Sequence, residues 1–340
     1  MNFISILIAI LIFCFLVVIH EFGHFITARI FGVKVNEFAI GMGPKLFQKK
    51  GKNTTFSIRA LPIGGFCAMQ GETANSNPGH EDNQNDTTKI NPDESLINKK
   101  PWQRAVVLAA GAVMNLVLGG IICLCIFAFG SGQIVTTTVE SGTTLQPGDE
   151  IVQVNDWNIY TPIDLNVALN FTQDTADFKI KRDGQTITVA VPESETFSTY
   201  KIDKTISSVL SQSGRLYCSL SQNIIKSLQY LIIGKVSTED MSGPVGVVST
   251  MADTTEVAVE KKDATGILTL TALITINLGI FNLLPVPMLD GGHMMFLLIE
   301  KIRKKPISEK VQERITLTFM VLLLSFMAYI TFHDIIKLFN

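Results

Sequence analysis

The stretch FISILIAILIFCFLVVIHEFGHFITA, residues 3–28, carries a single formal charge, that of Glu21. As a helix it would be about 39 Å long at about 1.5 Å per residue, which exceeds the bilayer hydrocarbon core of about 30 Å. The run is too long for a signal peptide, and the MNF at its start has no positive charge. We therefore expect a retained first transmembrane helix, which places the chain among membrane proteins.

The composition supports this class. Only 17% of the 340 residues are charged, against about 25% in globular proteins. The mean hydropathy is +0.33. A net charge of −2 removes the global electrostatic case for binding nucleic acid. The five cysteines have no spacing typical of disulfide frameworks or thiolate metal sites.

Three further stretches are apolar enough to cross a bilayer. Residues 105–129 and 264–289 contain no charged residue, and residues 315–332 are rich in Leu, Ile, Met and Phe. Windows of this length and composition are typical of transmembrane helices. The sequence therefore predicts a multi-pass α-helical membrane protein with four transmembrane helices.

The distribution of lysine and arginine predicts the orientation of these helices. Ten of these residues lie in the segment 30–104 and six lie in the segment 290–314. Since positively charged segments beside membrane helices stay in the cytoplasm, we expect both segments to be cytoplasmic. Both termini and the long segment 130–263 would then lie outside the cytoplasm.

The segment between the second and third apolar stretches has the pattern of a small α+β module. Short β-like runs are separated by turn residues, and the Asp-Gly pair at 183–184 is typical of a hairpin. We expect strands at 134–139, 151–154, 178–181 and 186–191 and a helix at 162–170. Residues 216–232 carry an apolar residue at every fourth position, which predicts an amphipathic helix on the membrane surface or against the module.

The segment between the first two apolar stretches divides into two parts. Residues 33–69 alternate short β-like runs with glycine, which predicts strands joined by turns. Residues 71–98 are polar, acidic and free of aromatic residues. This composition favours a flexible insertion, to which we assign no chemistry.

The motif His20-Glu21-Phe22-Gly23-His24 lies at the end of the first apolar stretch. On a helix the two histidines project from one face a turn apart, so both imidazoles can bind one zinc ion, while Glu21 can hold a zinc-bound water. An acidic residue at membrane depth costs on the order of 2.5 kcal/mol, and a metal ion compensates for it. A polar cluster that only satisfies its own hydrogen bonds is the alternative.

A third protein ligand has to come from elsewhere, because catalytic zinc sites usually have three protein ligands and a water. The stretch NLLPVPMLDGG, residues 282–292, places Asp290 just after two prolines that interrupt a helix. Irregular backbone at membrane depth occurs where it is buried in protein or lines a wet cavity, which makes Asp290 the candidate. His293 is a weaker candidate, and a plain turn role for Asp290 is the alternative.

Together these motifs resemble those of the site-2 proteases, specifically the bacterial regulator-of-sigma-E protease type of intramembrane zinc metalloprotease. HEFGH, NLLPVPMLDGG and the module between them carry the resemblance over nearly the whole chain. Three shorter segments share it: RALPIGGF (59–66), GAVMN (111–115) and MSGPVG (241–246). In addition, LQPGDEIVQVND (145–156) resembles the core of a PDZ domain.

The resemblance implies a catalytic role for five residues. His20, His24 and Asp290 would be the ligands of Zn2+. Glu21 would be the general base, and Asn282 would lie near the substrate carbonyl. Zinc-activated water, with Glu21 as proton acceptor, is a coherent chemistry for cleaving a peptide bond.

The resemblance also implies how substrates bind. A membrane-associated β-loop containing Gly64, Gly65 and Phe66 would pair with an unwound substrate by strand addition. A hairpin that only caps the helices is the alternative. The PDZ-like module would either bind a peptide end or exclude substrates with bulky outer domains, and the sequence leaves both open.

The predicted organisation combines four transmembrane helices with a β-loop region, an insertion and one inserted PDZ-like α+β domain. In chain order, the parts are the first transmembrane helix with HExxH (1–32), the membrane-associated β-loop region (33–70), the flexible polar insertion (71–100), the second transmembrane helix (101–130), the PDZ-like domain (131–195), a linker with the amphipathic helix and SGPVG segment (196–262), the third transmembrane helix with the LDGG motif (263–300), and the basic connection with the fourth transmembrane helix (301–340).

The predicted function is an intramembrane zinc metalloendopeptidase of regulated intramembrane proteolysis in a bacterial inner or plasma membrane. Its partners would be the lipid bilayer and single-pass membrane proteins, such as anti-sigma-factor-like substrates or signal-peptide remnants, with the active site towards the cytoplasm. Two other classes stay open. A catalytically silent, membrane-anchored PDZ scaffold should lack a zinc ligand or Glu21. A transporter should show broken helices in two repeated halves, whereas this sequence shows one broken helix.

Overall fold

The structure is a computed structural model that describes most of the chain. The described residues are 3–71, 92–130, 134–142, 144–170, 175–192, 198–234, 244–261, 263–305 and 307–339. Most of the predicted insertion and the start of the MSGPVG motif lie outside them. The chain divides into two compact units, residues 1–118, 238–259 and 274–340 in the first and residues 119–237 and 260–273 in the second.

Helices and strands follow one another in an order close to the predicted one. The helices are α1 (Phe3–Ile30), α2 (Pro101–Phe129), α3 (Pro162–Asn170), α4 (Ile206–Ile233), α5 (Pro244–Lys261), α6 (Thr265–Asn282), α7 (Asp290–Arg303) and α8 (Glu309–Phe339). The strands are β1 (Val35–Lys50), β2 (Thr55–Met69), β3 (Ile134–Ser141), β4 (Glu150–Val154), β5 (Trp157–Asn158), β6 (Thr175–Arg182), β7 (Gln185–Pro192) and β8 (Ser198–Ile202).

Four of the described helices are long and apolar enough to cross a membrane, as predicted. The candidate spans are Ile4–Ile30, Pro101–Phe129, Thr265–Asn282 and Lys310–Phe332. The segment expected to hold the third span, residues 263–300, is interrupted at the two prolines as predicted, since α6 ends at Asn282 and α7 begins at Asp290. Pro285 and Pro287 lie in the gap, where each lacks the backbone N–H that a continuous helix needs.

In the first unit, β1 and β2 form an antiparallel ladder with several bulges. Residues 35–40 of β1 pair with residues 65–69 of β2 at the base of the ladder. Gly41, Gly43 and Gly64 lie beyond this base at positive φ, a conformation that glycine adopts without steric cost. We call residues 59–66 of β2 its bent part; the segment contains Gly64, and its last two residues, Gly65 and Phe66, are also the first paired residues of the base.

A buried apolar cluster holds the base of this ladder to the C-terminal part of α1 and to α2. Its members are Ala28, Val33, Val35, Phe38, Cys67, Met69, Leu96 and Val107. Each large apolar side chain buried in this way stabilises the packing by about 1.5–3 kcal/mol. The cluster thereby keeps β2 close to the turns of α1 that carry the HEFGH motif.

The second unit contains a six-stranded sheet in the order β7-β6-β4-β3-β8, with β5 paired to β4. The hairpin between β6 and β7 turns at Asp183 and Gly184, both at positive φ, as the Asp-Gly pair predicts. Alternate residues of β6, namely Ala176, Phe178 and Ile180, are buried in the core. The predicted helix over 162–170 is α3, and each of the four predicted strands is present.

The amphipathic helix predicted over residues 216–232 is part of α4, and it packs on the sheet of the second unit. Tyr230 belongs to the buried core there and accepts a hydrogen bond of 3.1 Å from Nε1 of Trp157. The helix begins at Ile206, earlier than predicted, because Thr205 caps it with a capping box. Of the two positions open from the sequence, the structure therefore shows the one against the module.

Candidate metal centre

α1 carries both predicted histidine ligands on one face. His20 and His24 are buried, with 8% and 5% of their surface exposed. Their Nε2 atoms lie 3.3 Å apart and their ring centroids 5.0 Å apart. The i, i+4 spacing thus directs two imidazole nitrogens towards one point, as predicted.

The second ring nitrogen of each histidine is held by α2. His24 Nδ1 lies 2.8 Å from the carbonyl oxygen of Val107, so Nδ1–H donates to that carbonyl and Nε2 is the nitrogen left to bind a metal. His20 Nδ1 lies 3.2 Å from Asn115 Nδ2, while Oδ1 of the same amide is buried without a partner. Rotating the amide by half a turn lets Oδ1 accept from His20 Nδ1–H, which satisfies both groups. In both rings Nε2 is then the nitrogen available to a metal ion.

Asp290, the first residue of α7, brings a carboxylate to the histidines. Its Oδ2 lies 3.3 Å from His20 Nε2 and 3.4 Å from His24 Nε2. This oxygen is buried and has no hydrogen-bond donor, which is uncommon for a buried polar atom. The two glycines that follow Asp290 permit this arrangement, because a Cβ on either would collide with carbonyls of the 283–286 loop against the first turn of α7.

The three atoms have the spacing that a tetrahedral zinc ion requires. Zinc binds imidazole nitrogen and carboxylate oxygen at about 2.0–2.1 Å, which separates neighbouring ligand atoms by about 3.3 Å. The observed separations are 3.3, 3.3 and 3.4 Å. The carboxylate oxygen without a hydrogen-bond donor and the two Nε2 atoms therefore fit Zn2+. Three protein ligands leave the fourth position to water or substrate.

Gly111 on α2 keeps the space in front of both rings open. A Cβ at this position would lie 2.8 Å from His20 Nε2 and still closer to His24 Nε2. The sequence had not marked Gly111, Val107 or Asn115 as supports of the site. Two of them had left a signal, since Gly111 and Asn115 begin and end the GAVMN segment that shares the family resemblance.

Glu21 lies next to β2. A Cβ on Gly65 would lie 3.5 Å from Cγ of Glu21. The backbone N–H of Cys67, two residues further along β2, donates a hydrogen bond to the Glu21 carboxylate. Of the predicted substrate-binding residues, Gly65 is therefore the one beside the predicted base.

Of the other two predicted substrate-binding residues, Phe66 lies against Arg59 and Gly64 faces the side chain of Met42. The Arg59 guanidinium lies 4.7 Å from the centre of the Phe66 ring and donates to Glu37 at 2.9 Å. Burial raises the pKa of Glu37, but the hydrogen bonds from Ser57 and Arg59 outweigh burial and hold the pKa below its usual range. The Glu37–Arg59 pair is therefore charged on both sides near neutral pH.

Two other residues considered from the sequence lie outside the ligand group. Asn282 closes α6 and is half-buried, seven loop residues before Asp290. His293 stacks edge-on against Phe296 and lines a small cavity with Arg104. Burial lowers the pKa of His293, so its ring is neutral at pH 7.

Comparison with known proteins identifies the family. The model of peptidase family M50 matches residues 8–326. The chain belongs to peptidase family M50. The predicted resemblance to the site-2 proteases is thereby confirmed, and the chain is a metalloprotease whose cofactor is Zn2+.

Relatives match this family member over almost its full length. A protein of Clostridium acetobutylicum assigned to the zinc metalloproteases is 32% identical, over 99% of this chain and 98% of its own. The zinc metalloprotease RasP of Bacillus licheniformis is 30% identical, over 97% of this chain and 98% of its own. The regulator of sigma-W protease RasP of Bacillus subtilis is 28% identical over the same shares.

Proposed function

We propose that this M50 protease is an intramembrane endopeptidase that cleaves peptide bonds within or near the transmembrane segments of single-pass membrane proteins. The convergence of His20, His24 and Asp290 carries the proposal. Two of these residues lie on a helix apolar enough to span a bilayer, which supports a site at membrane depth. A soluble protease has no need to place a charged group there at a cost of several kcal/mol.

Each residue of the site has a role in the proposed reaction. His20 and His24 would hold Zn2+ through Nε2, and Asp290 would hold it through Oδ2. The bound ion supplies Lewis acidity that activates a water and polarises the substrate carbonyl. Glu21 takes the proton of the attacking water and returns it to the leaving amine. Asn282 directs its amide towards the carbonyl oxygen, on which negative charge develops.

The bent part of β2 is the proposed substrate-binding strand. A transmembrane helix uses its peptide groups in internal hydrogen bonds, so it must unwind before cleavage and find new backbone partners. Residues Gly64, Gly65 and Phe66 would provide them by strand addition. Because Gly65 lies beside Glu21, a substrate paired here has its backbone next to the base.

The sheet of the second unit is proposed to be a PDZ-like domain. Its buried residues Leu145, Ile151 and Val154 come from the stretch that resembles a PDZ core. Such a domain binds an extended peptide by adding it to a strand edge. Exclusion of substrates with bulky outer domains is the second role that this domain supports.

The cellular setting is proposed from charges and relatives. The lysine and arginine distribution favours a plasma-membrane protein with both termini and the PDZ-like domain outside and the site towards the cytoplasm. The name of the Bacillus subtilis relative, regulator of sigma-W protease, supports a membrane-bound regulator of a sigma factor as substrate. Signal-peptide remnants are the second substrate class.

The proposal is tested with purified protein and a library of single-span substrates whose cuts are mapped by mass spectrometry. We expect cuts inside or next to the apolar segments. Glu21→Gln should keep zinc, measured by elemental analysis, while turnover falls by about 10²–10⁴-fold. The control Glu260→Gln, at an exposed position of α5, should keep both.

Three results would count against the proposal. Full turnover by Glu21→Gln would remove Glu21 as the base. Cuts confined to soluble loops would exclude intramembrane cleavage. A wild-type protein that holds zinc and cleaves nothing would favour the silent scaffold.

A further inference from the structure

An open pocket lies in the first unit, where the N-terminal end of α2 meets the C-terminal end of α7. We call it the α2–α7 pocket. Its lining residues are Pro101, Arg104, Leu297, Glu300, Lys301, Lys304 and Lys305. Its volume is about 240 Å³, which equals about eight water molecules at about 30 Å³ each. The pocket is thus the size of a lipid phosphate with part of its glycerol, and larger than a single ion needs.

The pocket has an excess of positive charge. Arg104 lies 3.6 Å from Glu300, so these two charges offset each other. Among the residues that the structure describes, Lys301, Lys304 and Lys305 are exposed and have no acidic partner. Three unmatched ammonium groups around one pocket complement an anion.

The backbone explains why three lysines converge. Lys301 lies on the last turn of α7, and Lys304 follows the helix at φ 54°, in the left-handed region. This turn directs the chain back, so that Lys304 and Lys305 line the same pocket as Lys301. A favourable helix dipole and a cytoplasmic location explain why lysines occur here, but neither explains their arrangement around a pocket.

The surroundings of the pocket have the features expected at the level of lipid headgroups. Pro101 is the first residue of the second candidate span, so the pocket lies where that span ends. The neighbouring Trp102 is 57% exposed, and tryptophan is enriched at the membrane–water interface. On α7, Leu298 and Ile302 are 58% and 72% exposed, which provides an apolar surface beside the lysines.

We propose that the α2–α7 pocket binds an anionic phospholipid. Lys301, Lys304 and Lys305 contact its phosphate, while an acyl chain lies along Leu298 and Ile302. A basic pocket between helices at the membrane surface is the chemistry that recognises such headgroups. A free phosphate ion would use the lysines but leave the adjoining apolar surface without a partner. The site is separate from the proposed peptidase reaction and can fail without affecting it.

The test is native mass spectrometry of the full chain in detergent, titrated with phosphatidylglycerol or with phosphatidylcholine of the same acyl chains. We expect phosphatidylglycerol to bind at least tenfold more tightly. The triple variant Lys301→Gln/Lys304→Gln/Lys305→Gln should lose this preference. Each lysine near an anionic lipid contributes about fivefold, so the loss should lie between about tenfold and about 125-fold.

Two variants separate the pocket from general charge and from misfolding. Lys179→Gln/Lys181→Gln/Lys201→Gln makes the same charge change at exposed positions of the second unit and should bind like the wild type. Lys301→Arg/Lys304→Arg/Lys305→Arg should keep the preference, because the positive charges remain. Thermal unfolding midpoints equal to that of the wild type would show that all three variants are folded.

Three outcomes would overturn the proposal. One is equal affinity for the two lipids. Another is an unchanged preference in the triple glutamine variant. The third is full displacement of phosphatidylglycerol by millimolar inorganic phosphate at constant ionic strength, which would assign the pocket to a free anion.

Discussion

Replacing Gly111 with alanine adds one methyl group where α2 faces both histidine rings. The new Cβ would lie 2.8 Å from His20 Nε2 and closer still to His24 Nε2. An ordinary contact is about 3.5 Å, so at least one ring has to move by about 0.7 Å or more. The same substitution improves helix propensity by about 1 kcal/mol, so a loss of metal cannot come from a weaker helix.

The size of the effect follows from the tolerance of metal bonds. Ligand distances in zinc sites hold to about 0.2 Å, and the required shift is several times larger. Removing the hydrogen-bond partner of a metal ligand already lowers metal affinity by about 10–100-fold. Because Gly111→Ala displaces the ligand itself, we expect zinc affinity to fall by at least about 100-fold.

The assay is competition for zinc between the purified protein and a chelator, with thermal unfolding measured in parallel. Gly120→Ala on the same helix is the matched control, since its Cβ would meet the Tyr217 ring at an ordinary 3.9 Å. The control should keep wild-type zinc affinity. If Gly111→Ala bound zinc as tightly as Gly120→Ala, the two Nε2 atoms would not face the metal. The metal site would then have to be assigned to other atoms.

Three further predictions concern groups around the site and in the second unit. Asn115→Ala should lower zinc affinity by about 10–100-fold in chelator competition, because the amide orients a ligand ring. Arg59→Ala should raise the KM for single-span substrates more than it lowers kcat, since the guanidinium holds Phe66 and the bent strand; a purely kcat effect in steady-state kinetics would contradict this. The Arg182 ion pair holds the pKa of Asp149 below its usual range. The charged carboxylate therefore stabilises the second unit above about pH 4, and this stability is lost as the pH falls through the lowered pKa. The opening free energy of that unit, obtained from hydrogen-exchange rates divided by the intrinsic exchange rate at each pH, should fall in acid in the wild type and should fall less in Asp149→Asn.

Local features of the site followed from the sequence because they depend on few neighbouring residues. The spacing of His20 and His24 places both rings on one helix face whatever the rest of the chain does. Composition alone predicted four spans, since transfer into lipid depends on the summed apolarity of a window. The Asp-Gly pair predicted its hairpin because the turn needs positive φ at two successive residues.

Features that depend on side-chain volume and on distant segments required the folded chain. The break at Pro285 and Pro287 was visible in the sequence, but only the packing of the loop on α7 shows how Asp290 reaches the histidines. In the sequence Gly111 is one small residue among several in its span. Its role in leaving space for the imidazole rings depends on the packing of His20 and His24 against it. Likewise the sequence leaves the position of α4 open between membrane and module, and the burial of Tyr230 in the core of the second unit decides it.

One physical reason separates the features that the sequence predicts from those that require the folded chain. Backbone geometry and hydropathy act over a few residues, so periodicity, turns and spans can be derived directly from the order of amino acids. Contact between α1, α2 and α7 depends on which surfaces fit together, and that complementarity is a property of the packed chain. The sequence alone therefore predicted the chemistry proposed for the two histidines and Glu21, whereas the position of Asp290 as proposed third ligand, the orientation of both rings and the lysine-lined pocket were decided by tertiary structure.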